Sequence, residues 1–599
     1  MNDSGGTVVD RRAEAEGSRV SRRSLLVAAG VAAGGATVGS RWLAPGIAKA
    51  AGQKFDATAD VIVVGGGGAG FAAATSAVLS GASVMLIEKA PVVGGTTAKS
   101  GGEYWIPNNP EMAKRGWKDP KDWAMKYMVR LSYPGLYDAD SPTLGVEKDR
   151  YELIDTFYDN GSKIVEELSA KGALKSQIQP TMGFSENPIA DPDYHADLPE
   201  DHAPYGRGLN PSGSLAGGSG LVSQLAAFAR AKGVKVLTAQ RVVGLATNGK
   251  REVVGVEVED AGKARLYRAK KGVIFGSGGF TQDRNKALHY LKGPIFGGCA
   301  VLTNTGDFID IASQLGARLG NLSNAFNVQN VLEQSLTSTS VTTEAWIPYG
   351  DSMVIVNRYG KRVAPEKMVY NERTQTHYHW DPQHCEYTNI VQFMIYDGGV
   401  AENPEEFGFR SPVPLPGQQA SYVIKADTFP ELAKKIQERL ARFDNMASIT
   451  GAITPKVRLD SSFAGALEDT IKRFNSYAET GKDLEFERGT KPIEVAWNGA
   501  GRKGNTKNPT MYPFRSKGPY YCIILGGGTL DTNGGPVINT KGQVLHIDGT
   551  PIPGLYGAGN CIASPAGQAY WSGGGTIAPG LVYGYLGGQN AAKEPVKEV

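Results

Sequence analysis

Cysteine is scarce in this sequence: four residues among 599, Cys299, Cys385, Cys522 and Cys561, widely separated and never in a C-x-x-C pair. That excludes a disulfide scaffold and, with no C-x-x-C-H, an attached haem that could relay electrons. Net charge is equally thin at +3. Residues 1–50 carry seven basic and four acidic groups, so the rest of the chain holds 63 − 7 = 56 basic and 60 − 4 = 56 acidic groups and is neutral. A nucleic-acid-binding body needs a basic field, and none is present. Past the N-terminal stretch there is no apolar run of the roughly 20 residues a membrane span requires. The 78 glycines have no period of three, which excludes collagen, while 41% apolar and 21% charged residues exclude a disordered chain. A length of 599 allows about four domain-sized units.

The N-terminus is the first region with a pattern. Ser21-Arg22-Arg23-Ser24-Leu25-Leu26 opens a weakly apolar, Ala- and Gly-rich stretch to about Gly39, and Ala48-Lys49-Ala50 gives an A-x-A cleavage pattern. The order resembles a twin-arginine export signal over residues 1–50. It implies export to the periplasm, cell envelope or medium, after folding under reducing conditions. The four cysteines then read as small buried apolar residues.

Ala59-Asp60-Val61-Ile62-Val63-Val64 is a β-branched run that reads as a buried parallel strand. Gly65-Gly66-Gly67-Gly68-Ala69-Gly70 follows, then a small-residue helix from Phe71 to Leu79, then a second strand Val84–Ile87 ending at Glu88. This is a β-α-β dinucleotide unit. Gly65 permits the tight turn, Gly67 lets backbone approach a pyrophosphate, and Gly70 lets helix pack on strand. Gly68 and Ala69 precede the helix, whose free N-terminal N–H groups suit phosphate. Glu88 can accept from a ribose diol and would repel a 2′-phosphate, which disfavours NADP. Lys89 adjoins it.

Gly94-Gly95-Thr96-Thr97-Ala98-Lys99-Ser100-Gly101-Gly102 comes next, followed by Tyr104-Trp105-Ile106-Pro107-Asn108. Further along are Gly276-Ser277-Gly278-Gly279-Phe280 after the strand Val273-Ile274-Phe275, the turn Thr303–Asp307, the run Gly554–Asn560 containing Gly559, and Gly573-Gly574-Gly575-Thr576-Ile577. In order and spacing these segments resemble the fumarate reductase and 3-ketosteroid dehydrogenase flavoproteins, closer to the ketosteroid branch, over residues 56–599. The resemblance implies FAD, contacted by these segments and by Val242. It implies an α/β fold: a Rossmann-type FAD-binding domain in two segments, 56–322 and 506–599, with an inserted α+β catalytic (capping) domain at 323–505. Within the insert, Ser352–Val356 reads as a strand and Phe429–Phe443 as a helix. No second G-x-G-x-x-G is present, so electrons must pass to or from an external quinone, redox protein or oxygen.

Oxidising a ketone to an enone needs a donor that polarises the carbonyl, a base for the α-proton and a hydride acceptor. The resemblance implies a tyrosine base four residues beyond the acid of the hairpin Val356–Glu366, which is Tyr370. A short shift would instead place Arg373 there, the proton donor of the fumarate branch. Tyr194 or His195, in Asp193–Pro199, could support the base, with Arg207 packing or positioning that loop. Tyr521, in Gly518-Pro519-Tyr520-Tyr521, fits the carbonyl donor. The histidine pair that clamps dicarboxylates is absent before Thr532-Asn533-Gly534-Gly535, which argues for a neutral, apolar ketone, since a buried unpaired dianion is costly. His377, His379, His384 and Cys385 complete no ligand pattern, so no metal is expected. The leading expectation is dehydrogenation beside a ketone, a 3-ketosteroid first. The rivals are an ene-reductase running in reverse through Arg373 and a flavin electron carrier without catalysis.

Overall fold

The structure, a computed structural model, describes residues 46–181, 187–338, 344–403, 410–444, 456–499 and 501–599. The twin-arginine pair lies outside them. The A-x-A stretch does not: Gly46–Lys49 forms an edge strand paired in parallel with Gln240–Thr247, and Ala50 is buried.

The larger layer is a nine-stranded sheet. At its centre Ala57–Val64 lies parallel to Val84–Ile87 on one side and to Lys263–Phe275 on the other, and Pro551–Gly557 extends it in parallel from Lys263–Phe275. Val61, Ile62 and Val63 are fully buried, as a strand covered on both faces requires. The helices Gly68–Leu79 and Ile577–Lys593 pack against one another over this sheet. That contact depends on glycine: a Cβ on Gly584 would sit 2.4 Å from the Ala69 carbonyl oxygen.

The second layer is a five-stranded antiparallel sheet built around Tyr520–Thr532. This 13-residue strand pairs through its first half with Val391–Asp397 and Val423–Ala426, and through its second half with Ala325–Val331. The sheet attributed to the insert therefore takes its central strand from beyond residue 505. The helix Phe429–Phe443 forms where its spacing predicts it: Thr428 caps it through the Glu431 N–H, and Leu432, Ile436, Leu440 and Phe443 are buried against the sheet. Among the described residues no helix is long and apolar enough to cross a membrane.

Candidate active site

A continuous cavity of about 610 Å³ runs from the glycine turn to the second sheet. At the turn, Gly65 has φ +104°, and a Cβ there would meet the Gly276 carbonyl oxygen at 2.5 Å. A Cβ on Gly70 would lie 1.9 Å from the Gly65 carbonyl oxygen. Both positions are closed to any side chain. Gly67 differs, since its Cβ direction meets nothing closer than 3.6 Å and opens on the cavity. The helix Gly68–Leu79 has neither a side-chain cap nor an acidic residue in its first turn, so apart from the Gly68 N–H, which Thr97 accepts, its first-turn N–H groups suit an anionic ligand. Glu88 accepts from the Gly66 and Ala90 N–H groups, both at 2.7 Å, and so is fixed at the cavity wall.

Asp307 marks the same end. Lys89 reaches it at 3.0 Å and Arg241 at 2.9 Å, with Val242 on the wall beside them. Burial pushes the Asp307 pKa up, but hydrogen bonds and charge from Arg241 and Lys89 outweigh burial and hold it below the usual range. Gly95, Thr96, Thr97, Ser100, Gly101 and Gly102 line the next stretch, and Thr97 accepts from the Gly68 N–H at 3.2 Å. Gly276, Gly278, Gly559, Asn560, Thr576 and Ile577 line the far side. Gly70, within the helix, and Gly94, Gly279 and Gly575 are not among the lining residues. A trough with a glycine floor, a free helix N-terminus and a fixed acid at the second strand fits FAD.

One polar hub here was missed from the sequence. Asp531, fully buried, accepts from Gly279 N–H (3.0 Å), Thr281 Oγ1 (3.0 Å), Asn304 Nδ2 (2.8 Å) and Asn560 Nδ2 (3.1 Å). It ties three cavity segments to the end of the central antiparallel strand. Nothing in its local sequence marks it, because its partners are distant in the chain.

At the other end three tyrosines meet. Tyr194 Oη and Tyr370 Oη are 2.7 Å apart, and Tyr370 donates to Tyr570 Oη at 3.0 Å. Tyr370 opens the helix Tyr370–Gln375, while Tyr194 follows the buried Asp193. Their rings meet edge to face, with centroids 5.4 to 5.7 Å apart, and Trp346, Trp497, Phe326 and Leu530 complete the wall. Burial, then the neighbouring phenols, raises the Tyr194 and Tyr370 pKa values well above 10. Burial raises that of Tyr570 too, offset in part by Tyr370 and the Gly574 amide.

The structure separates the expected residues. Tyr194 and Tyr370 face the cavity. His195 points the other way, with Nε2 3.6 Å from Glu372, and links the two segments that carry those tyrosines. Tyr521 does not reach the cavity. It pairs across strands with Tyr396 and Lys425 near the start of Tyr520–Thr532 and stacks on the Tyr396 ring at 5.1 Å. Asp531, ten residues further along the same strand, is the part that reaches the cavity.

Arg373 is fully buried, and its guanidinium donates to Gln329 Oε1 (2.6 Å) and to the carbonyls of Glu366, Met368, Ala345 and Trp346. Burial pulls its pKa down to about 9. It fixes the backbone beside Tyr370 and does not line the cavity. Arg207 is fully buried among Asp119, Asp193 and Asp201, each 2.8 Å away, and holds the Tyr194 loop. His377 faces Gln329 at 2.9 Å and the Ile390 carbonyl at 3.1 Å, and burial pushes its pKa down to about 4.

Comparison with known proteins agrees with this geometry. A family described as FAD binding domain matches residues 60–577. The chain is 27% identical over 590 residues to 4-oxocyclohexanecarboxylate 2-dehydrogenase of Sinomonas cyclohexanicum, covering 90% of this chain and 93% of the relative. It is 29% identical to 3-oxosteroid 1-dehydrogenase of Mycolicibacterium smegmatis, covering 84% and 92%. Its fold is similar to a solved 3-ketosteroid delta1-dehydrogenase from Sterolibacterium denitrificans, with a TM-score of 0.73, 24% identity, and 89% and 99% of the two chains covered.

Proposed function

The chain belongs to the FAD-binding domain family, and on that premise we propose that this FAD-dependent CH–CH dehydrogenase introduces a double bond beside the carbonyl of an apolar cyclic ketone, with 3-ketosteroids the first class to test and substituted cyclohexanones the second. The observation that carries this reading is the mutual contact of the Tyr194, Tyr370 and Tyr570 hydroxyls at 2.7 and 3.0 Å inside an aromatic wall.

Each tyrosine has a task. Tyr370 donates a hydrogen bond to Tyr570, which leaves the Tyr570 hydroxyl hydrogen for the ketone oxygen. A donor aimed at the oxygen where charge develops stabilises the enolate-like transition state. Tyr370 takes the α-proton as its phenolate, which Tyr194, hydrogen-bonded to the same oxygen, stabilises. Bound FAD supplies the acceptor for the hydride leaving the β-carbon. The indole and phenyl walls exclude water and favour an apolar ring system.

The arrangement also bears on the reverse reading. Arg373 spends its donors on backbone carbonyls, so a fumarate-type proton donor is missing from the tyrosine end. Electrons leave through an external quinone, redox protein or oxygen. Export by the twin-arginine route is likewise proposed, on the pattern at Ser21–Leu26.

The test is anaerobic mixing of the oxidised flavoprotein with a panel of 3-ketosteroids and substituted cyclohexanones. The expected result is bleaching of the flavin absorbance with an unsaturated product by mass. Tyr370→Phe should retain FAD and lose about 10²- to 10⁴-fold in the bleaching rate, the range for a lost general base. A panel in which no saturated cyclic ketone bleaches the flavin, while an enone reoxidises reduced protein, overturns the assignment in favour of reduction.

A further inference from the structure

An acidic side chain stands in the wall at the tyrosine end. Glu344 lines the cavity and is only 8% exposed. Its backbone is pinned. Glu344 bridges to Asn330 on the strand Ala325–Val331, and its carbonyl accepts from Ser411 Oγ at 2.8 Å. The next residue, Ala345, donates its N–H to the Gln329 carbonyl at 2.8 Å. Two residues on from Glu344, the Trp346 ring stands edge-on to the Tyr370 ring, with centroids 4.8 Å apart. The carboxyl is therefore carried by the short segment that walls in the base.

Cys299 faces it across the same wall. The thiol donates to Glu344 Oε1 at 3.2 Å, and Cys299 packs against the cluster that holds Tyr194, Tyr370 and Tyr570. The Cys299 N–H donates to the Thr529 carbonyl at 2.9 Å, on the strand Tyr520–Thr532. Val301, two residues on, donates its N–H to Thr96 Oγ1 at 3.3 Å, in the segment that lines the FAD trough. Cys299 thus ties the tyrosine end to the trough, and Glu344 is its partner there.

This carboxyl has few partners. An ionised carboxylate offers about four acceptor positions, and a thiol is a weak donor. Among the described residues, the donors to Glu344 are the Cys299 thiol and its own backbone N–H. Burial pushes its pKa up, and those two donors and the charge of Lys99, on the same wall, pull it part of the way back. A buried acceptor held so thinly is costly unless a ligand completes its hydrogen bonds. The surrounding charges narrow what that ligand group is. Glu344 disfavours a carboxylate, and Lys99 disfavours an ammonium. A neutral donor suits both, and on an apolar ring system that donor is a hydroxyl.

We propose that Glu344, held by Cys299, is a specificity-determining anchor that accepts a hydrogen bond from a hydroxyl group carried by the cyclic ketone away from its carbonyl. The substrate class is then a hydroxylated cyclic ketone, read at the carbonyl by Tyr570 and at the hydroxyl by Glu344. Two polar points orient a ring over a hydride acceptor where one would let it turn. No bond is made or broken at Glu344. The inference rests on the dehydrogenase reading and adds the second polar group of its substrate.

The test compares saturated cyclic ketones in matched sets. Each set holds a plain 3-ketosteroid or cyclohexanone, its hydroxylated counterpart and its carboxylate-bearing counterpart, with the substituent on a different carbon in each set. Anaerobic stopped-flow bleaching of the flavin over a range of ketone concentrations gives a limiting rate and a dissociation constant for each. Wild type should favour one hydroxylated ketone over its plain partner by roughly 10- to 100-fold in the ratio of rate to dissociation constant, the range for one hydrogen bond to a charged group. Glu344→Leu, with FAD content checked by absorbance, should bring that preference to about 1, and Glu344→Gln, whose amide oxygen still accepts, should keep part of it. A preference that survives Glu344→Leu overturns the anchor. So does a wild-type flavin bleached equally by plain and hydroxylated ketones, and so does a preference for the carboxylate-bearing member, which assigns this part of the wall to Lys99. In all three cases the dehydrogenase reading stands. A wild-type flavin that no cyclic ketone bleaches overturns that reading and the anchor with it.

Discussion

Tyr570→Phe is the sharpest test of the donor assignment, because it removes one oxygen and leaves the packing. The phenyl ring keeps its edge-to-face contacts with Tyr194 at 5.4 Å and Tyr370 at 5.7 Å, and its contact with Phe326 at 5.3 Å. The lost hydrogen bond is the 3.0 Å one from Tyr370, whose hydroxyl retains Tyr194 at 2.7 Å. A stability change of about 1 kcal/mol is expected, read as a small drop in thermal midpoint. Catalysis should fall much further. Removing a donor from a developing oxyanion costs about 2.7–4 kcal/mol, or roughly 10²- to 10³-fold. Stopped-flow bleaching of the flavin by a saturated ketone, with FAD content checked by absorbance, reads both quantities on one sample. A bleaching rate within about 3-fold of wild type, under about 0.7 kcal/mol, would show that the ketone oxygen is held elsewhere and would refute the tyrosine triad as drawn.

Three other substitutions probe separate parts of the structure. Gly70→Ala drives a Cβ to 1.9 Å from the Gly65 carbonyl and should yield protein that purifies with little flavin, measured as absorbance per polypeptide. Tyr521→Phe, outside the cavity on the same strand as Asp531, should leave the bleaching rate unchanged and stability within about 0.5 kcal/mol. Arg207→Met strands Asp119, Asp193 and Asp201 without their cation and should cost about 3–5 kcal/mol by thermal unfolding. The Arg207→Met deficit should grow as pH rises, because Asp193 and Asp201, whose pKa values burial raises, destabilise the fold once they ionise without their cation.

Local patterns were the legible part of the sequence. The strand-turn-helix-strand run from Ala59 to Glu88 has its β-branched core, its glycines and its terminal acid in contiguous order, and each forms as the pattern requires. The helix Phe429–Phe443 is equally local. Tyr370 and Tyr194 were legible only through resemblance, and the choice between Tyr194 and His195 needed the loop geometry set by Asp193 and Arg207. Tyr521 misled because a tyrosine at a strand start carries no record of which end of the strand meets the site. Arg373 misled for a related reason: sequence shows a guanidinium near the base but not the carbonyls that absorb its donors.

The strand Tyr520–Thr532 limits how a substrate enters. Its first half is bonded into the antiparallel layer, and its end, through Asp531, is bonded to the Gly279 turn of the parallel layer. A cap mounted on such a strand cannot swing away as a rigid flap without tearing a buried carboxylate from four donors. Access is therefore a matter of side chains and short loops at the rim. Selection among ketones is then set by the width of a doorway rather than by the closing of a jaw, and bulky substituents should slow association more than they weaken the bound state.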